Sequence, residues 1–148
     1  MARGQMVHAG MKTLFLLLLL DLTNFSQAFH FWNYHVDYPK TQVSGTPDQY
    51  CNVIMQRRGM ITRNHCFQIN AFIHETNSTL QNICKTSPKT CGGPSWLLCH
   101  ESSKPLKLTY CSTQSYARPP NCGYKAQAFS EKILVVCVRG SPIYLFQT

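Results

Sequence analysis

A chain of 148 residues leaves room for one domain, and it contains no internal repeat or low-complexity tract that would make it an array or a linker. Fourteen Lys and Arg against six Asp and Glu give a net charge of +8 at pH 7. That balance draws a protein to polyanions such as nucleic acid, glycosaminoglycan or acidic membrane surfaces, but charge alone names no partner.

Residues 1–28 have the layout of a secretory signal peptide. Lys12 precedes the apolar run from Leu14 to Leu20, and Ser26-Gln27-Ala28 supplies small residues for cleavage. The run is too short to cross a bilayer, which takes roughly 20 apolar residues, so no transmembrane segment is expected. Met11 is an alternative start, because residues 1–10 add nothing to the signal. The expected mature domain is residues 29–148. Removing Arg3, Lys12 and Asp21 leaves 12 basic and 5 acidic residues, a net of +7. All eight cysteines, Cys51, Cys66, Cys84, Cys91, Cys99, Cys111, Cys122 and Cys137, lie in this part. An even count in a short exported chain reads as a disulfide framework. A metal site is disfavoured because no Cys-x-x-Cys pair occurs. Spacing alone does not choose the pairing.

In chain order, Phe31, Tyr34, His35 and Tyr38 recur at spacings of three and four, which predicts a short helix ended by Pro39. Residues 40–46 are polar and loop-like. Thr46-Pro47-Asp48 then supplies a capping hydroxyl, a first-turn proline and an acid. The second helix carries Tyr50, Cys51, Ile54 and Met55 on one apolar stripe, and Gly59 closes it. Residues 66–74, CFQINAFIH, read as a strand. A third helix starts near Asn77-Ser78-Thr79, with Leu80, Ile83 and Cys84 inward. Later strands are expected over residues 96–100, 107–114, 124–129, 132–139 and 143–146, separated by Gly92-Gly93-Pro94 and Pro119-Pro120-Asn121. Early helices followed by an antiparallel sheet make an α+β domain. Its core is modest, so disulfides closing long loops contribute on the order of 2–4 kcal/mol each.

Four stretches carry a resemblance. They are Tyr50-Cys51-Asn52, the segment Cys66-x-x-Ile69-Asn70-x-Phe72-Ile73-His74-Glu75, Pro120-Asn121-Cys122-x-Tyr124 and Val135-Val136-Cys137. With the cysteine order and the basic charge, they resemble the pancreatic-type ribonuclease (ribonuclease A) superfamily over nearly all of residues 35–146. The resemblance implies three helices in the N-terminal half and a V-shaped antiparallel sheet. It also implies four disulfides, Cys51–Cys111, Cys66–Cys122, Cys84–Cys137 and Cys91–Cys99. The family's activity is RNA cleavage after pyrimidines through a 2′,3′-cyclic phosphate. It needs a neutral histidine as base, a protonated histidine as acid and a lysine that stabilises charge on the phosphoryl oxygens. No cofactor or metal takes part.

Each part has a matching position. The first histidine is His35, in the pair Tyr34-His35, with a slightly longer spacing to Cys51 than is usual. The family's lysine follows the second cysteine, where this chain has Phe67. The threonine that reads the pyrimidine edge is matched by Ala71, and the second histidine by Tyr144 in Pro142-Ile143-Tyr144-Leu145. The expectation is a relic site, His35, Phe67 and Tyr144, with no intact catalytic set. Lys40, Lys125 and Arg139 are the candidates to replace the lost cation. His74 is expected to be structural, and His30, His65 and His100 to be ordinary surface residues. Arg57, Arg58 and Arg63 form a basic cluster that is either a solvated face or a polyanion contact. Asn77-Ser78-Thr79 is a glycosylation sequon as well as a helix start.

The sequence therefore reads as a secreted, monomeric, catalytically degenerate ribonuclease-like protein acting by binding, with RNA, glycosaminoglycan or a cell-surface protein as partner. His-Val-Asp-Tyr-Pro at residues 35–39 resembles a divergent branch of the superfamily associated with the male reproductive tract, which implies epididymal secretion and a role in sperm maturation. The alternatives are a weak residual endoribonuclease using His35 and a cationic host-defence protein acting on anionic membranes.

Overall fold

The computed structural model describes Ser26, residues 29–93 and residues 96–146. Apart from Ser26, the expected signal peptide lies outside the described residues. The first helix, α1, has helical residues 29–35. It stops short of the expected Tyr38 because the chain changes partners there. Val36 forms a parallel bridge with Ile73, and the Asp37 amide donates to the Ile73 carbonyl at 3.0 Å. A strand pairing thus ends the helix before Pro39 is reached.

The second helix, α2, spans Pro47–Arg57. The Thr46 hydroxyl accepts from the Gln49 amide and the Gln49 side chain accepts from the Thr46 amide, a reciprocal capping box. Gly59 follows with φ +82°, the left-handed conformation that glycine takes at least cost after a helix end. Tyr50, Cys51, Ile54 and Met55 are buried as the stripe predicted. The third helix, α3, spans Asn77–Ile83 and buries Leu80 and Ile83. Its N-cap is Thr76, whose hydroxyl accepts from the Thr79 amide at 3.1 Å. The sequon asparagine is therefore the first helical residue rather than the cap.

Among the described residues there are seven strands: β1 Ile69–Ile73, β2 Lys89–Thr90, β3 Leu98–Glu101, β4 Leu106–Ser112, β5 Lys125–Glu131, β6 Leu134–Val138 and β7 Ser141–Phe146. They form two antiparallel sheets, ordered β1-β4-β5 and β2-β3-β6-β7. β2 was not expected from the sequence, since two exposed residues carry no period. β1 begins three residues later than expected. Cys66 makes only an isolated bridge with Ile61, and the Phe67 amide donates to the Met60 carbonyl, so this stretch pairs with the end of the α2 loop instead.

β1 divides two cores, as alternation along a strand requires. Ala71 and Ile73 pack with Phe31, Leu80, Leu106, Leu108, Val135 and Leu145. Phe72 faces the other way, into Tyr50, Ile54, Met55, Met60 and Tyr124. The disulfides are Cys51–Cys111, Cys66–Cys122, Cys84–Cys137 and Cys91–Cys99, the scheme that the resemblance implies. The first three span separations of 60, 56 and 53 residues, so each removes long-loop freedom from the unfolded chain. Among the described residues, no helix is long and apolar enough to cross a membrane.

Candidate active site

His35 closes α1, and its position is fixed from several directions. Phe31, one turn earlier, is buried in the core beside β1. Arg58, just past α2, donates from Nη1 to the Asn33 carbonyl at 2.6 Å and to the Val36 carbonyl at 2.8 Å. Its Nη2 pairs with Asp37 Oδ1 at 3.2 Å. Asn70 on β1 donates from Nδ2 to the Tyr34 carbonyl at 2.6 Å. The His35 Nδ1 lies 3.0 Å from the Ala71 carbonyl. A carbonyl only accepts, so Nδ1 carries the hydrogen and Nε2 keeps its lone pair in the neutral ring. Burial pushes the His35 pKa down, and the Ala71 carbonyl offsets this in part. The ring is held neutral at neutral pH, the protonation state of a base.

Phe67 lies between Cys66, tied to Cys122, and β1. Both its backbone polar groups are engaged: the amide donates to Met60, and the carbonyl accepts from the Tyr124 hydroxyl at 2.6 Å. The ring is 37% exposed and makes a tilted contact with His65, centroids 5.8 Å apart. Tyr144 sits on β7 opposite Val136 of β6 and is 56% exposed, while its neighbour Leu145 turns into the core. Among the described residues, neither a hydrogen bond nor a ring contact joins His35, Phe67 and Tyr144 to one another. The fold gives each a fixed backbone, but Phe67 brings no charge or donor and the Tyr144 hydroxyl brings no positive charge.

Two of the candidate replacement cations have partners of their own. The Lys40 ammonium lies 4.6 Å above the Tyr50 ring, and Lys125 pairs with Asp48 at 3.4 Å. Arg139 occupies the left-handed turn between β6 and β7, with φ +52°. The Ala71 methyl is fully buried opposite Tyr110 on β4. The Tyr110 hydroxyl donates to Glu131 at 2.6 Å, and its ring meets Phe129 edge-on at 5.2 Å. On the sheet beside Ala71 lie the Tyr110 and Phe129 rings together with the exposed Ile69, Gln127 and Glu131. Sequence reading missed Tyr110 and Phe129 here. The pairing register that sets Tyr110 beside Ala71, with Phe129 against the Tyr110 ring, has no signal of its own in a single sequence.

Three other expectations are settled by contacts. Arg58 leaves the expected basic cluster, because it is spent on α1, while Arg57 and Arg63 remain exposed. His74 is structural: Nδ1 donates to the Asp37 carbonyl at 2.9 Å, and Nε2 lies 2.8 Å from the Thr109 hydroxyl. His100 is half-buried rather than a free surface residue, with Nδ1 2.8 Å from the Thr86 carbonyl. A cleft of about 550 Å³ between the end of β4 and the 113–123 loop includes Arg118 and Lys125 but none of His35, Phe67 or Tyr144. Among the described residues, no group of three or more His, Cys, Asp or Glu is placed to hold a metal ion.

Comparison with known proteins agrees with this architecture. The profile of the pancreatic ribonuclease family matches residues 26–146. The chain is 37% identical to a delta-type pancreatic ribonuclease of Rattus exulans, over 74% of this chain and 70% of that protein. It is 34% identical to ribonuclease 4 of Homo sapiens, over 88% of this chain and 90% of that protein. Among solved structures, green turtle egg white ribonuclease superposes with a TM-score of 0.69 at 30% identity, covering 82% of this chain and 98% of that one. The matched span, the paired sheets and the bound cysteines place the chain in the pancreatic ribonuclease family.

Proposed function

We propose that this family member is a secreted protein that works by binding and does not cut RNA at a useful rate. One observation carries the reading: the positions that the resemblance gives to the lysine and the second histidine hold Phe67 and Tyr144. A phenyl ring neither donates to a phosphoryl oxygen nor offsets its charge. Losing one preorganised donor costs about 10²–10³ in rate. A tyrosine has an ordinary pKa near 10 and is a poor match for an acid working at neutral pH. Losing a well-matched acid costs about 10²–10⁴ more, less any non-additivity. The contacts of Lys40 with Tyr50 and of Lys125 with Asp48 count against these two lysines as replacements.

The net charge of the mature chain favours RNA, glycosaminoglycan or an acidic cell-surface protein as partner. The signal-like residues 1–28 support export, and the exposure of Asn77 at the start of α3 supports its glycosylation. The resemblance at residues 35–39 directs the physiological reading to the epididymis and sperm maturation. A weak residual endoribonuclease is the second reading, favoured by the free Nε2 of a neutral His35.

The test uses single-stranded RNA and metal chelator. Wild-type protein is expected to leave the RNA intact, and Phe67→Lys with Tyr144→His to cleave it. His35→Ala should silence that revertant. Fast hydrolysis by the wild type would sink the proposal. A silent revertant that stays folded would show that His35 is no longer placed for catalysis, and would leave the binding reading standing.

A further inference from the structure

β5 is an edge strand. It pairs with β4 on one side only and ends the order β1-β4-β5. Every residue from Gln127 to Glu131 is exposed. The direction of its free backbone groups follows from one contact. The Ala126 amide donates to Asp48 Oδ1 at 2.8 Å, away from β4. In an antiparallel strand, residues two apart point their amide and carbonyl the same way. Ala128 and Ser130 therefore also present N–H and C=O outward, and among the described residues nothing covers them. Such an edge is a template for another strand, and proteins usually blunt it with a bulge, a proline or a charge pointing inward. Here β5 runs with its full register against β4; along the edge Asp48 takes only the Ala126 amide, its other oxygen pairs with the largely exposed Lys125 ammonium at 3.4 Å, and Glu131 accepts from Tyr110 with its second oxygen left for a further partner.

The sequence of the edge, Lys125-Ala-Gln-Ala-Phe-Ser-Glu131, is complementary to itself. Turned antiparallel about Ala128, Lys125 of one copy lies opposite Glu131 of the other, and the second Lys–Glu pair follows by symmetry. Ala126 lies opposite Ser130, and Ala128 opposite Ala128. The same register makes the outward-pointing Ala128 the hydrogen-bonded centre, as the ladder requires. Gln127 lies opposite Phe129, and the two Phe129 rings become diagonal neighbours on one face, within reach of one another. On the other face, which α2 partly covers, Ala126, Ala128 and Ser130 are small. A register shifted by one residue would break the backbone match, and one shifted by two would lose both ion pairs.

We propose that β5 pairs antiparallel with β5 of a second copy of this chain, centred on Ala128, joining two three-stranded sheets into one. The ladder holds both Ala128–Ala128 hydrogen bonds and the Ser130 amide to the Ala126 carbonyl at each end. Asp48 keeps the Ala126 amide. The pairing is an isologous two-fold contact, which closes at the dimer. It departs from the monomer expected from the sequence.

The test is sedimentation equilibrium on protein expressed from the full chain in eukaryotic cells, from micromolar to millimolar concentration. The wild type is expected to be a concentration-dependent dimer. Ala128→Pro removes the central outward donor, and a proline is tolerated where an edge N–H faces solvent; this variant should be monomeric. Lys125→Glu or Glu131→Lys sets like charges opposite each other twice and should weaken the dimer roughly tenfold. The double swap should restore it. A wild type monomeric throughout overturns the proposal. So does a folded Ala128→Pro variant that still dimerises. If Ala128→Pro does not fold, the charge series decides, and failure of the double swap to rescue overturns it.

Discussion

Arg58 links two segments 21 residues apart or more. Its guanidinium donates to the Asn33 and Val36 carbonyls and pairs with Asp37, whose carboxylate is buried. Burial alone would raise the Asp37 pKa. The Tyr50 and Thr41 hydrogen bonds and the Arg58 charge outweigh that and hold it below its ordinary value. Removing Arg58 takes the only countercharge among the described residues from a buried carboxylate that keeps its Tyr50 and Thr41 donors, and takes a donor from two carbonyls. Arg58→Ala is expected to cost about 3 kcal/mol in urea unfolding, whereas Arg57→Ala on the exposed face should change stability by no more than about 0.5 kcal/mol. Amide exchange along residues 31–37 should quicken in the first variant only. Nothing in Gln56-Arg57-Arg58 distinguishes these two arginines by type. Their difference is set by a long-range approach of α1, which a single sequence does not encode as a pattern. His35, Phe67 and Tyr144 could be singled out as candidates because they stand in local motifs. The cover of Tyr110 and Phe129 beside Ala71 could not, because it depends on strand register.

At the scale of elements, local chemistry was legible wherever an end carries its own side-chain signal. α2 starts at Pro47 because Thr46 and Gln49 cap each other, and both residues are in plain view. Thr46→Ala should cost about 1 kcal/mol, and Thr46→Ser almost nothing, by thermal unfolding. A loss as large for serine as for alanine would mean that the methyl, not the hydroxyl, holds this end. α1 and β1 show the opposite case. Their true limits, His35 and Ile69, are set by pairing of Val36 with Ile73 and of Phe67 with Met60. Tertiary partners override the local tendency there, so periodicity placed the elements but not their ends. β2 is two residues long and owes its existence to β3 across the Cys91–Cys99 loop.

For the whole molecule, the titrating groups set a window of stability. Burial lowers the pKa of both His35 and His74, and the Lys40 charge lowers that of His74 further against the pull of Asp37. The unfolded chain titrates these imidazoles near pH 6.5, so below that value it binds more protons than the folded one. Stability is therefore present above about pH 6.5 and is lost as pH falls towards the folded values. Asp37, also lowered, extends the same loss below the ordinary carboxylate range. On the alkaline side the sign reverses. Burial raises Tyr50, Tyr110 and Tyr124, with Tyr110 pushed up to about 12 by burial and its bond to Glu131. A raised group favours the fold below its unfolded pKa, near 10 for tyrosine, and that contribution fades as pH rises through it. The thermal midpoint should thus be highest between about pH 7 and 9 and fall on both sides. His74→Gln lowers the midpoint at neutral pH by disturbing the Asp37 and Thr109 contacts, but it should flatten the decline between about pH 7 and 5. An acid limb as steep in His74→Gln as in the wild type would place the linkage at His35 or elsewhere. That comparison separates the proton linkage of His74 from its structural contribution, because only the linkage changes the slope.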